Sequence, residues 1–299
     1  MSMPERKNSR SKAYWLVTTE HLKKGLWFRD DEDYRIGMNY AAIASFACGV
    51  MVLAFVLMSN HVHFVLRGRY VDVKAFIDGL KSRQSKYLHN KYGTFEFLRR
   101  NKVRIDEVSS LDEGLEKAIA YSQMNSVAAN ICLHPTQYPW GTGPLFFNPS
   151  KRTGTRMGDL TKRARIRLFH CCDVDLPADW LVGEEGYILP ESYVDIPFVE
   201  SLYRTPKRMN YFYVNSSKAK RKIESSVDNL PAFKDQVILA ALPDLFRSLF
   251  QKQRFEELSP SEKTESLRQI RFRFCSNVHQ IARVTGLTYE AAARMLDCV

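Results

Sequence analysis

The sequence predicts an α+β fold: a ferredoxin-like antiparallel sheet with helices on one side, followed by a mostly helical C-terminal region. Three observations lead there. Apolar runs rich in β-branched and aromatic residues at 13–19, 50–58 and 63–67 read as strands. Helical segments alternate with them in the order strand, helix, strand, strand, helix, extended arm, helix, which suits an antiparallel sheet and not a parallel one. Beyond residue 260 the chain reads as consecutive helices.

Each element has a local reason. Residues 13–19 (AYWLVTT) form the first strand. Residues 31–47 read as an amphipathic helix with Asp31, Glu32 and Asp33 in its first turn, where acidic groups favour a helix N-terminus. Gly49 stops it. Residues 39–60 carry no charge and approach the length of a membrane span. Their first half is rich in Ala and Ser and their second in Val and Leu, so they divide into two short buried elements. Strands 50–58 and 63–67 are broken by a turn at Ser59-Asn60. Residues 73–92 form a helix with Phe76, Ile77, Leu80, Tyr87 and Leu88 apolar, a basic face of Lys81, Arg83, Lys86 and Lys91, and Gly93 as its stop. Residues 95–106, with Arg99 and Arg100, read as a strand pair or an extended basic arm. Residues 110–132 read as a helix capped by Ser110. The Pro- and Gly-rich stretch 134–143 closes a first domain, residues 1–148.

Residues 149–260 read as a basic linker and accessory region of unassigned fold. It contains the run Lys162–Arg167 (KRARIR), with Arg163, Arg165 and Arg167, which fits a solvated face or phosphate contacts. In residues 202–222 cations alternate with Tyr203, Tyr211, Phe212 and Tyr213, which suits stacked bases or a buried aromatic stripe. Residues 261–299 read as a helical, helix-turn-helix-like DNA-binding segment. Helices at 278–285 and 289–296 flank Gly286-Leu287-Thr288. Ala282 is small where they cross, Gly286 permits the turn and Thr288 caps the second helix.

Composition is ordinary for a globular protein, with 45% hydrophobic and 26% charged residues, but the formal net charge is +11 and both halves share the excess. A polyanionic partner such as nucleic acid fits that balance. None of the six cysteines forms a C-x-x-C pair, which argues against a thiolate zinc site and for a reducing, cytoplasmic setting. The polar, basic N-terminus has no apolar core of a signal peptide.

His61 and His63 lie two apart in a strand and therefore share one sheet face. A His-x-His pair alone fits two half-buried, hydrogen-bonded rings as well as it fits two imidazole ligands of a metal.

The stretch Met58-Ser59-Asn60-His61-Val62-His63-Phe64-Val65-Leu66 resembles the signature of the single-tyrosine HUH transposases. The nearest match is their REP-associated tyrosine transposase branch, whose motif reads M-P-N-H-V-H-hydrophobic. Ser59 stands where that motif carries Pro. Tyr121-Ser122-Gln123-Met124-Asn125-Ser126 is similar to that branch's Y-I-x-x-N-P, with Ser126 for Pro, and Tyr138-Pro139-Trp140 matches its closing Y-P-W. The resemblance covers about residues 13–145, roughly half the chain. It implies an HUH nuclease domain and a metal-dependent transposase that cleaves and rejoins single-stranded DNA, at hairpin (REP-like) sequences, through a 5′-phosphotyrosine. Tyr121 would be the nucleophile, with Tyr87 and Tyr92 as rivals. His61 and His63, with Asn125 as third ligand, would hold Mg²⁺ or Mn²⁺. The charge pattern adds Lys81, Arg83, Lys86, Arg99, Arg100, Arg163, Arg165 and Arg167 as DNA contacts. The implied partner is single-stranded or hairpin DNA, with no membrane, no small-molecule substrate, and a monomer or homodimer. The alternative is a catalytically retired regulator that binds DNA or RNA hairpins. Residues 162–222 and 261–299 are expected to add DNA affinity and not chemistry, so a chain ending near Ser150 would keep the metal site but bind its hairpin more weakly.

Overall fold

The computed structural model describes residues 12–22, 25–93, 97–150, 152–171, 175–217, 233–274 and 276–297. The sheet contains β1 (Ala13–Thr19), β2 (Met51–Met58), β3 (His61–Gly68) and β4 (Val103–Val108), in the spatial order β2-β3-β1-β4 with every pair antiparallel. Helix α1 (Asp31–Cys48) joins β1 to β2. Helix α2 (Tyr70–Tyr92) and the short α3 (Phe97–Arg100) join β3 to β4. This βαββαβ order is the ferredoxin-like arrangement.

The helix ends follow their local chemistry. Asp30 caps α1, its carboxylate accepting from the Asp33 backbone N–H at 2.9 Å. Gly49 and Gly93 end α1 and α2 in the left-handed region, φ 60° and 66°, where a side chain would be strained. The segment 95–106 is not a strand pair: from residue 97 it is the α3 turn followed by β4. The helix expected at 110–132 is shorter and broken. Ser110 does not cap it, because Asp112 and Glu113 adopt φ 54° and 60°. Helix α4 therefore begins at Gly114, runs to Gln123, and is followed after Met124 by the single turn α5 (Asn125–Ala128).

Helices cover both faces of the sheet, not one. Adjacent strand residues point to opposite sides. Phe64 meets Phe76 of α2 edge-on at 5.0 Å, whereas His63 meets Tyr121 of α4 at 5.8 Å. So α1 and α2 lie on one face and α4 on the other. The segment 138–142 runs along the outer edge of β2. Leu57 N–H donates to the Trp140 carbonyl (2.8 Å), Thr142 N–H donates to Phe55 (3.0 Å), and the Tyr138 hydroxyl donates to the Leu57 carbonyl (2.7 Å). Gly141 is required there, since a Cβ would lie 2.8 Å from the Phe55 carbonyl oxygen.

Among the described residues, those in 152–217 pack into this core. Helix α6 (Lys162–Phe169), capped by Thr161, packs on α1. Helices α7 (Ile196–Tyr203) and α8 (Pro206–Val214) pack with α4 on the other face. Phe169, Val199, Tyr203, Met209, Phe212 and Tyr213 are buried in the same hydrophobic cluster as the sheet. The Tyr203 hydroxyl donates to the Glu116 carbonyl (2.6 Å) and the Tyr213 hydroxyl donates to Gln123 Oε1, so two buried tyrosines grip α4. A chain ending near Ser150 would lose both of these contacts to α4, the helix that carries Tyr121. The same packing resolves residues 203–213 as largely a buried stripe: Tyr203, Phe212 and Tyr213 are core, and Tyr211 is exposed. The cations at 218–222 lie outside the described residues.

A second cluster is built from α9 (Asp235–Phe250), α10 (Pro260–Phe274), α11 (Val278–Thr285) and α12 (Tyr289–Asp297). Gly286 ends α11 at φ 72° and Thr288 Oγ1 accepts from the Ala291 N–H (3.1 Å), as the turn pattern requires. No helix among the described residues is long and apolar enough to cross a membrane.

Candidate active site

The site starts from register. Val56, His63, Thr18 and Arg104 are partners across β2, β3, β1 and β4, so the four side chains form one row. Their face is the one that α4 covers. His61 and His63 lie in this face with ring centroids 4.9 Å apart and planes at 85°. Tyr121 projects from α4 edge-on to His63. Both histidines are buried, at 4% and 1% exposure, and Tyr121 is half-buried. The structure thus brings His61, His63 and Tyr121 together. Tyr87 and Tyr92 lie on α2, across the sheet. Burial raises the pKa of both phenols, and Tyr92 donates into the Asp30–Asp33 pair, so neither faces the histidines.

Each imidazole is held through Nδ1. His61 Nδ1 is 2.8 Å from Asn60 Oδ1, an oxygen that only accepts. A neutral ring making this contact carries its proton on Nδ1 and its lone pair on Nε2. His63 Nδ1 is 3.0 Å from Thr18 Oγ1. Oxygen partners of this kind orient metal-binding histidines. Asn125 is 4% exposed, and its Nδ2 donates to the carbonyls of Tyr121 and Ser122, both at 2.9 Å. This fixes the amide against the end of the Tyr121 helix, with its oxygen as the atom suited to a cation. Imidazole nitrogens and an amide oxygen are donor types that divalent ions accept. No group of three or more His, Cys, Asp or Glu able to hold a metal occurs among the described residues.

Three neighbours were not legible beforehand. His21, just past β1, stacks on His61 at 3.7 Å and 15°. Thr18 and Arg104 join the site through strand register, which no linear pattern reveals. The Arg104 side chain is 79% exposed and pairs with Asp106 at 2.6 Å. That hydrogen bond to Asp106 raises the Arg104 pKa and keeps its charge.

Of the eight cations expected to contact DNA, the seven with described side chains are spread over α2, α3 and α6. Lys81 is corrected: it is buried, its ammonium donates to the Asn101 carbonyl, and burial lowers its pKa, so a phosphate cannot reach it directly. Arg83 is half-buried beside the Gly79 carbonyl (3.4 Å), and Lys86 is exposed on α2. Arg163, Arg165 and Arg167 lie on α6, which packs on α1 and so belongs to the layer across the sheet from Tyr121. Arg100 is exposed at the histidine end of the sheet, beside Asn101, whose amide donates to the Glu20 carbonyl (2.7 Å). The Arg99 side chain lies outside the described residues.

No protein-family model matches the chain, and no curated protein matches it. Among solved structures, one that it resembles is described as a REP-associated tyrosine transposase bound to a REP hairpin. The likeness has 12% identity and a TM-score of 0.33, over 47% of this chain and 82% of that one. Similarity of that extent leaves the reading of the site to its own geometry.

Proposed function

We propose that this protein cleaves and rejoins single-stranded or hairpin DNA, with Tyr121 as the nucleophile. The observation that carries the reading is the convergence of His61, His63 and Tyr121 on one sheet face. The Tyr121 hydroxyl attacks a backbone phosphorus. A Tyr–O–P bond forms, the P–O3′ bond breaks, and the 3′-oxygen leaves as a hydroxyl after taking a proton. The 5′-phosphotyrosine retains the ester, so a 3′-hydroxyl reverses the step without another energy source. A divalent ion, Mg²⁺ or Mn²⁺, bound by His61, His63 and Asn125 would neutralise charge on the scissile phosphate. The chain's own residues do the positioning. Asn60 and Thr18 aim the two rings, the end of α4 places the phenol edge-on to His63, and Arg104 offers an exposed charge to the strand.

The test is covalent trapping. Incubation with single-stranded and hairpin oligonucleotides plus Mn²⁺ gives a protein–DNA adduct that maps to Tyr121. Tyr121→Phe binds the same DNA and forms none. An adduct on Tyr87 or Tyr92 refutes the assignment. Tight hairpin binding without any adduct favours the retired regulator.

A further inference from the structure

The turn Ser59-Asn60, which feeds β3 and the two histidines, is held from two directions. From the first core, the Trp27 and Phe28 N–H groups donate to the Ser59 carbonyl (2.7 and 3.3 Å), and the Leu22 N–H donates to the Asn60 carbonyl (3.0 Å). From the second cluster, the Asp235 carboxylate accepts from the Ser59 hydroxyl. Asp235 opens α9 and is 2% exposed. It also accepts from Gln280 Nε2 (2.8 Å) and, through both oxygens, from Arg283 (3.0 and 3.2 Å). Next to it, Gln236 Nε2 donates to the Phe28 carbonyl (2.9 Å) and the Tyr34 hydroxyl (3.2 Å).

We propose that Asp235 is a positioning residue for the Asn60–His61 pair, acting through Ser59, so that the C-terminal helices set the geometry of the histidine turn. Asn60 Oδ1 fixes the His61 ring, and Asn60 follows Ser59 directly. Displacing Ser59 therefore tilts the imidazole that Asn60 orients. A hydrogen bond to a buried carboxylate is strong enough to hold that position, and reactions of this kind lose orders of magnitude when a reacting group moves by an ångström. Ser59 stands where the resembling motif carries Pro. A proline there keeps the turn but has no donor to reach α9. The contact is separable from folding of the C-terminal cluster, because Asp235 keeps Arg283 and Gln280 when the Ser59 hydroxyl is removed.

The consequence for catalysis rests on the function proposed above, so the experiment reads the contact separately. Full-length wild type, Ser59→Ala and Ser59→Thr are compared by hydrogen exchange at the Leu22 and Trp27 amides, by calorimetric Mn²⁺ titration, and by DNA affinity and adduct rate. In Ser59→Ala both amides exchange about tenfold faster, as loss of one charge-assisted bond requires. Mn²⁺ binding weakens and the adduct rate falls about tenfold or more at unchanged DNA affinity. Ser59→Thr restores all three. Wild-type exchange in Ser59→Ala overturns the proposal whatever the activity. So does a Thr variant that behaves like the Ala one, or faster exchange with an unchanged adduct rate. A wild-type protein that forms no adduct, while Ser59→Ala still exchanges faster and binds Mn²⁺ less tightly, refutes the nuclease reading and leaves the positioning contact standing.

Discussion

Tyr203 tests whether the residues after 150 belong to the first core. It is fully buried, meets Phe212 edge-on at 5.6 Å, and donates to the Glu116 carbonyl of α4. Tyr203→Phe removes one neutral hydrogen bond, about 1 kcal/mol. Tyr203→Ala also opens a ring-sized cavity, and aromatic-to-Ala changes in cores cost about 4 kcal/mol. With a urea slope of about 2.5 kcal/mol/M, the midpoint falls by about 0.4 M for Phe and about 1.6 M for Ala. The assay is tryptophan fluorescence. All four tryptophans, Trp15, Trp27, Trp140 and Trp180, lie in or against the first cluster and none lies in the second, so the signal isolates the relevant transition. An Ala midpoint within about 0.3 M of wild type would show that α7 and α8 sit outside that core.

Three further outcomes are expected. His61→Ala and His63→Ala each abolish metal-dependent adduct formation while DNA binding persists; normal cleavage by the double variant removes the metal assignment. Arg104→Ala weakens binding to single-stranded DNA and makes the plot of log affinity against log salt shallower by about 0.7, the share of one phosphate contact; an unchanged slope in fluorescence anisotropy takes Arg104 out of the interface. The Lys252 ammonium and the Ser259 N–H pull the Glu262 carboxyl down to about 2 from an ordinary 4.5. A depressed carboxyl stabilises the fold above its unfolded value and loses that contribution as pH falls through the folded one. Urea titrations followed by circular dichroism at pH 5 and pH 2 will therefore show a smaller acid loss in Glu262→Gln than in wild type.

What the sequence made legible was local. The strand 13–19, the Ser59-Asn60 turn, the glycine stops at 49 and 93, and the α11–turn–α12 pattern all depend on residues within a few positions of one another, and all are observed. The shared face of His61 and His63 followed from period two alone. The nearness of Tyr121 came from a motif and not from physics, because sequence spacing does not say which face of a sheet a later helix covers. Thr18 and Arg104 needed the β1–β3 and β1–β4 registers. Helix α9 was overlooked, and with it Asp235, since one acidic residue ahead of an apolar segment looks like any helix start. The cationic clusters misled for a related reason: composition counts charges, but burial removed Lys81 and topology carried α6 to the far layer.

The two rims of the sheet are unequal. Beside β2, bridges from Gly141 to Val56 and from Val194 to Val52 occupy the rim. Beside β4, no described strand pairs on the outer side, and six residues containing Arg104, Asp106 and Glu107 line that rim. Charged side chains on an open rim discourage casual strand addition. Any strand that extended the sheet would have that one rail, beside Arg104, to run along.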